Sequence, residues 1–139
     1  AWNTHRIKRC DFKKSEALFA KLLINNDMLV QCFQKNILLF GEISIMIIGG
    51  EYSHAVLKRA KPGDYRVQDD FGGTVRLYEP RKPELDFARR VILSLPFSPV
   101  YARIDIILDN GGKIALSELE LIEPEMWFRL KKSAPRRLA

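Results

Sequence analysis

The chain has 139 residues and a net charge of +6, long enough for one domain with a real core and too short for two. No run approaches the roughly 20 apolar residues of a membrane span, because the most apolar window, ILLFGEISIMIIGG at 37–50, is broken by Gly41, Glu42 and Ser44. The positive charge sits in the ends, with five Lys/Arg against one acid in 1–14 and five against none in 126–139, leaving 13 bases and 16 acids between them; with no aromatic residues interleaved along a basic stripe, this argues against nucleic-acid binding.

In chain order, residues 1–10 read as the polar end of a strand. A helix is predicted over 15–25, with Ser15 as N-cap and Leu18, Phe19, Leu22 and Leu23 on one face. MLVQCFQ at 28–34 reads as a buried strand. EISIMII (42–48) and YSHAVLK (52–58) flank Gly49-Gly50 as a short-loop hairpin. Residues 60–64 and 71–73 carry loop chemistry. Pro83 opens a second helix, on which Leu85, Ala88, Val91, Ile92 and Leu95 recur at helical spacing until Pro96 closes it. VYARIDIILD and KIALSELEL form a second hairpin across Asn110-Gly111-Gly112. The last dozen residues lack a period and read as frayed. The order (β)-α-β-β-β-loop-α-β-β predicts an α+β domain, a mainly antiparallel sheet with helices on one face.

Strand parity concentrates the chemistry. Ala102, Ile104, Ile106 and Leu108 share one face, and Tyr101, Arg103, Asp105 and Ile107 the other. On the partner strand Leu119 and Leu121 turn inward with Ala115 and Ser117, while Glu118 and Glu120 turn outward. A two-residue turn at Gly111-Gly112 sets Asp105 opposite Glu118 and Arg103 opposite Glu120. Like charges directly opposite are destabilising. Either a hard divalent cation such as Mg²⁺ with nucleotide phosphates reverses that sign, or Arg103 neutralises a salt-bridged outer face.

The ordered set DYRVQ…GG, then ARID, then ELELIEP resembles the C-terminal part of ATP-grasp carboxylate–amine ligases, in the branch near glutathione synthetase and the RimK-like proteins, over residues 28 to 125. The resemblance implies ATP held between two α+β subdomains and a carboxylate activated as an acyl phosphate for attack by an amine. It further implies Asp105 and Glu118 as Mg²⁺ ligands, with Glu120 where an asparagine is usual, and Arg66 at the transferred phosphoryl group. Gly72 and Gly73 fall in the loop where backbone approaches substrate, and are equally an ordinary turn. Gln31 and Phe33 fall beside the adenine pocket, or are core. Glu42 falls near the ribose. Lys58 and Arg59 approach phosphate or substrate, or end a solvated strand, and His54 reads as structural.

The family's phosphate-binding lysines lie upstream of the matched region. The chain therefore reads as the C-terminal fragment of a longer ATP-grasp protein, a single domain whose N-terminal partner and first ATP-grasp subdomain are largely missing. Its partners would be small-molecule carboxylate and amine substrates, with no nucleic acid and no membrane, and an exposed cleft face could support a homo-oligomer. Cys10 and Cys32 have no metal or C-x-x-C spacing and point to free thiols in a reducing compartment, the cytoplasm. A non-catalytic nucleotide-binding module is the alternative, and a basic nucleic-acid-binding domain the more distant one.

Overall fold

The computed structural model describes residues 4–67 and 72–138. The chain divides into two compact units, one up to Phe33 and one from Gln34 onward. In the first, a 3₁₀ turn at Arg9–Asp11 leads into α1 (Phe12–Leu23), three residues earlier than the predicted start, and no residue of this helix is buried. Two expected strands are absent from the described part of this unit: residues 4–8 are irregular, and so are 28–33. Leu29 is 99% and Val30 79% exposed, so the apolar run that reads as a buried strand is neither a strand nor buried at its centre. A short apolar run does not by itself specify a strand; paired backbone groups do.

The second unit opens with a single turn, α2 (Ile37–Phe40), inside the apolar window. Five strands follow in one sheet: β1 (Glu42–Ile48), β2 (Glu51–Arg59), β3 (Thr74–Tyr78), β4 (Tyr101–Leu108) and β5 (Ile114–Glu120). Their spatial order is β3-β2-β1-β4-β5, antiparallel throughout. This is the expected α+β architecture, with β3 as a strand that the sequence did not announce. Its five residues do alternate, with Val75 and Leu77 set between Thr74, Arg76 and Tyr78, but the run is short and mostly exposed, a weak period-two signal beside the apolar strands.

The β1–β2 hairpin turns through Gly49 and Gly50, whose φ values of 60° and 79° require the left-handed region. One face of the sheet carries Ile45, Ile47, Ala55, Ala102, Ile104 and Ile106, packed against Ala88, Leu85, Val91 and Ile92 of α3 (Lys82–Leu93). The start of α3 is fixed by Glu84. Its buried carboxylate accepts hydrogen bonds from the Arg81 backbone N–H at 2.7 Å, from Arg81 Nε at 2.9 Å and from the Tyr78 hydroxyl at 3.1 Å, tying the helix to β3. Burial and the nearby Glu84 charge push the Tyr78 hydroxyl pKa up.

The opposite face has a cover of its own. Met46, Ile48 and Val56 pack against Met126 and Trp127, with Phe128 and Leu130 alongside. The C-terminal residues expected to fray are therefore docked, and Ala134 is buried as well. They make 3₁₀ and turn structure rather than a periodic element, which is why no period marks them.

Candidate functional site

The polar centre lies on the face that the C-terminal segment covers. Glu42 and Ser44 of β1, Lys58 of β2, Arg103 and Asp105 of β4, and Glu118 and Glu120 of β5 are brought together there by register. Glu42 pairs with Lys58, Ser44 with Asp105, Asp105 with Glu118, and Arg103 with Glu120. The expected register around Asp105 is present, but by a different route. The turn is a three-residue loop between Asp109 and Lys113, closed by the Asp109 N–H donating to the Lys113 carbonyl at 2.8 Å, and not the two-residue turn that parity assumed. A bulge between Asp105 and Ile106 then restores the alignment, leaving Ser117 as the extra residue.

The bulge corrects two inward assignments. Ala115 pairs with Ile107 on the polar face, and the Ser117 hydroxyl donates to Glu42 Oε2 at 3.1 Å.

Lys58 is not the solvated strand end that one reading made it. It is buried, and its ammonium bridges Glu42 and Asp105 Oδ2, the latter at 2.8 Å. Arg103 supplies the other cation. Its Nε reaches Asp105 Oδ1 at 3.1 Å, and its Nη2 reaches Glu118 Oε2 at 3.1 Å and Glu120 Oε1 at 2.5 Å. The salt-bridged alternative is therefore realised, and it extends further than Arg103 with Glu120. Burial pushes the Asp105 pKa up, but Lys58 and Arg103 outweigh it and hold the carboxyl below its ordinary value. Burial also raises Glu42, with Asp105 adding to it, and Lys58 does not fully compensate. Glu120 is raised by burial and by Glu118 and Asp105 against the pull of Arg103. Burial lowers the Arg103 pKa, but its three carboxylate neighbours more than reverse that.

Trp127 closes the centre from above. Its ring centroid lies 5.4 Å from both Lys58 Nζ and Arg103 Cζ, within cation–π range. Trp127 has φ 46°, a left-handed backbone rare for a bulky residue, and its N–H donates to Glu125 Oε1 at 2.5 Å. Such strain persists only where the surroundings over-determine it. His54 anchors the same segment, with Nε2 2.8 Å from the Met126 carbonyl and Nδ1 3.0 Å from the Ser53 hydroxyl. Burial lowers its pKa, the Met126 bond opposes this, and Lys131 adds to it.

The other sequence candidates lie elsewhere. Arg66 is held by Asp64, Nε to Oδ1 at 3.1 Å and Nη2 to Oδ2 at 2.8 Å, which raises its own pKa and drives that of Asp64 far down. On the residues alone Arg66 reads as a surface arginine paired with Asp64 or Asp69, and of these Asp69 lies outside the described residues. Gly72 has φ 78° and Gly73 leads into β3. Gln31 is exposed, and Phe33 stacks under Arg6, whose Cζ is 3.8 Å from the ring centroid; both belong to the first unit. Sequence reasoning named Lys58 as a phosphate or substrate contact but missed its burial between Glu42 and Asp105, and it missed Trp127 altogether. A bulge between Met46 and Ile47 skips Ser53 and carries Lys58 opposite Glu42, whereas a regular two-residue hairpin would set Leu57 there.

The donor set can be tested against a divalent cation. Four carboxylates face two cations, a formal excess of two negative charges. Among the described residues the buried side-chain polar atoms without a hydrogen-bond partner are Ser44 Oγ and Trp127 Nε1, both on this face. Glu118 and Glu120, with side chains 54% and 31% exposed, are hard oxygen donors at an open rim and fit such an ion. Asp105 does not fit in this arrangement, because Lys58 and Arg103 occupy its two oxygens and its side chain is fully enclosed. Accordingly, no three His, Cys, Asp or Glu side chains converge as a metal site among the described residues.

Comparison with solved structures decides the fold. D-cycloserine synthetase DcsG superposes with a TM-score of 0.78 at 23% identity, over 96% of this chain and 48% of that one. The ATP-grasp ligase PsnB complexed with minimal precursor matches at 0.54 and 16% identity, over 97% of this chain and 40% of that one. D-alanine–D-alanine ligase from Bacillus anthracis complexed with ATP matches at 0.55 and 17%, over 89% and 40%. The fold is that of the ATP-grasp ligases. The chain spans about half the length, or less, of these structures. The finer placement near glutathione synthetase is not carried by these likenesses. No family model and no curated protein matches the sequence. Among the described residues no helix is long and apolar enough to cross a membrane, and Cys10 and Cys32 are both exposed.

Proposed function

We propose that this chain supplies one half of the nucleotide cleft of an ATP- and Mg²⁺-dependent ligase that joins a small carboxylate to an amine. The observation that carries this reading is the in-register Asp105–Glu118 pair beside buried Lys58, on one sheet face of an ATP-grasp fold. Glu118 and Glu120 would hold Mg²⁺ at the rim, with Asp105 behind them, and the ion would screen the phosphate charge of ATP. Arg66 would steady the transferred phosphoryl group, and a carboxylate activated as an acyl phosphate would then meet the amine. The Gly72-Gly73 loop would lie close to substrate. Glu42 is buried against Lys58, so its part in this scheme is to hold that lysine rather than to contact ribose.

The test is Mg²⁺-dependent ADP release by the full gene product offered pairs of small carboxylates and amines. Asp105→Asn and Glu118→Gln should each lower the rate by on the order of 10²-fold or more. Rates left intact in both variants would remove the metal assignment. ATP binding without any ADP release would favour the non-catalytic module.

A further inference from the structure

We infer that a cavity on the α3 face of the sheet is a binding site for a phosphate monoester with a compact apolar body, Arg59 and Arg76 holding the phosphate and Phe40, Ile43, Ile106 and Ile114 the body. The inference goes beyond the function proposed above, because the cavity shares no residue with the charged centre, which lies on the opposite face. It encloses about 340 Å³, the size of a small-molecule site. Its floor is aliphatic: Ile43 of β1 pairs with Leu57 on one side and with Ile106 on the other, and Ile114 of β5 adds to it. Half-exposed Phe40 and the first turn of α3, at Arg81 and Glu84, form walls.

An apolar floor alone does not choose a ligand; the charges do. On β2 and β3, Leu57 pairs with Arg76 and Arg59 with Thr74, so Arg59 and Arg76 are diagonal neighbours on one face, close enough for long side chains to meet. Two like charges there repel, and neither arginine has an ion-pair partner among the described residues. Glu84 is the one carboxylate among the described lining residues, and Arg81 and the Tyr78 hydroxyl already hold it. Three arginines against one glutamate leave two positive charges. A phosphate monoester carries about two negative charges at neutral pH and offers oxygens that suit guanidinium forks. Arg59 is also set in place. A Cβ at Gly41 would lie 3.0 Å from Arg59 Cγ and 3.2 Å from Leu57 Cδ1, so the bare glycine lets the Arg59 stem pack along the cavity wall.

The site is tested by titrating the full gene product with 1-naphthyl phosphate, using calorimetry for affinity and isoleucine methyl NMR for location. The Ile43, Ile106 and Ile114 methyls should shift, while that of Ile48, on the opposite face, stays in place. Inorganic phosphate and 1-naphthol, the two halves of the probe, should each bind far more weakly than the whole. Arg59→Gln and Arg76→Gln should each weaken binding by about tenfold, while Arg89→Gln, on the exposed side of α3, leaves it unaltered. Unmoved methyls on the cavity floor overturn the site, as does an affinity unchanged in both folded variants. Inorganic phosphate binding as well as the probe marks a solvated charge pair that makes no use of the cavity, and also overturns it. Should a variant fail to fold, the wild-type methyl spectra decide the matter. Saturating ATP with Mg²⁺ should leave the probe bound; displacement would assign the probe to the nucleotide cleft and refute the proposal. A gene product that takes the probe but binds no ATP defeats only the function proposed above, and one that binds ATP but not the probe defeats only this inference.

Discussion

Arg103 is the residue on which the polar centre depends most. It is buried and satisfies Asp105, Glu118 and Glu120 together, so removing it leaves the enclosed Asp105 with Lys58 as its one remaining cation and Glu120 unpaired at the rim. Arg103→Ala should cost about 3–5 kcal/mol of stability, as for other broken buried pairs, measured by urea unfolding; Arg103→Lys should recover only part, because a compact ammonium cannot span the carboxylates that the planar guanidinium fork reaches. Gly41 is constrained in another way. It has φ 77°, and a Cβ there would collide with the Lys58 carbonyl oxygen. Gly41→Ala should therefore destabilise by more than ~1 kcal/mol, visible as a lower urea midpoint with an unchanged slope. His54 has its pKa lowered by burial, so folding favours the neutral ring. Its contribution is complete above the unfolded pKa of about 6.5 and is lost as pH falls through that value toward the folded pKa. The urea midpoint of the wild type should drop across that window, and His54→Gln, which keeps a donor for the Met126 carbonyl, should flatten the drop.

At the scale of elements, two bulges decide what faces what. The β4–β5 hairpin was legible in the sequence down to the pairing of Asp105 with Glu118, yet the assumed turn was one residue too short and the bulge at Ser117 compensated. The β1–β2 hairpin was legible from Gly49-Gly50, but its bulge at Ser53 hid the pairing of Lys58 with Glu42, since alternation carries no mark of an inserted residue. Helix α3 was readable because Pro83 and five apolar positions agree. The 28–34 run was not, because apolar composition alone does not specify a strand. Deleting Ser117 gives a test at this scale. It removes the inserted residue while keeping Leu116 opposite Ile106 and Glu118 opposite Asp105, so amide exchange protection across β4–β5 should survive and only the bond to Glu42 be lost.

For the molecule as a whole, the sheet of the second unit is a divider. α3 and the aliphatic core lie on one side, while the charged centre and the C-terminal segment lie on the other. Ending the chain after Pro124 would re-expose Met46, Ile48 and Val56 and leave His54 without its carbonyl partner. The loss should be about 2 kcal/mol for each side chain uncovered, enough to unfold a marginal domain, and far-ultraviolet circular dichroism of the truncated chain would register it. The same lid gives the charged centre a graded depth: the Glu118 side chain is 54% exposed, Glu120 31% and Asp105 0%. Reagents reach such a gradient in sequence. A water-soluble carbodiimide with a small amine should modify Glu118 first and Glu120 more slowly. Asp105 should react only as the chain unfolds, which makes its labelling rate a clock for opening of the C-terminal lid.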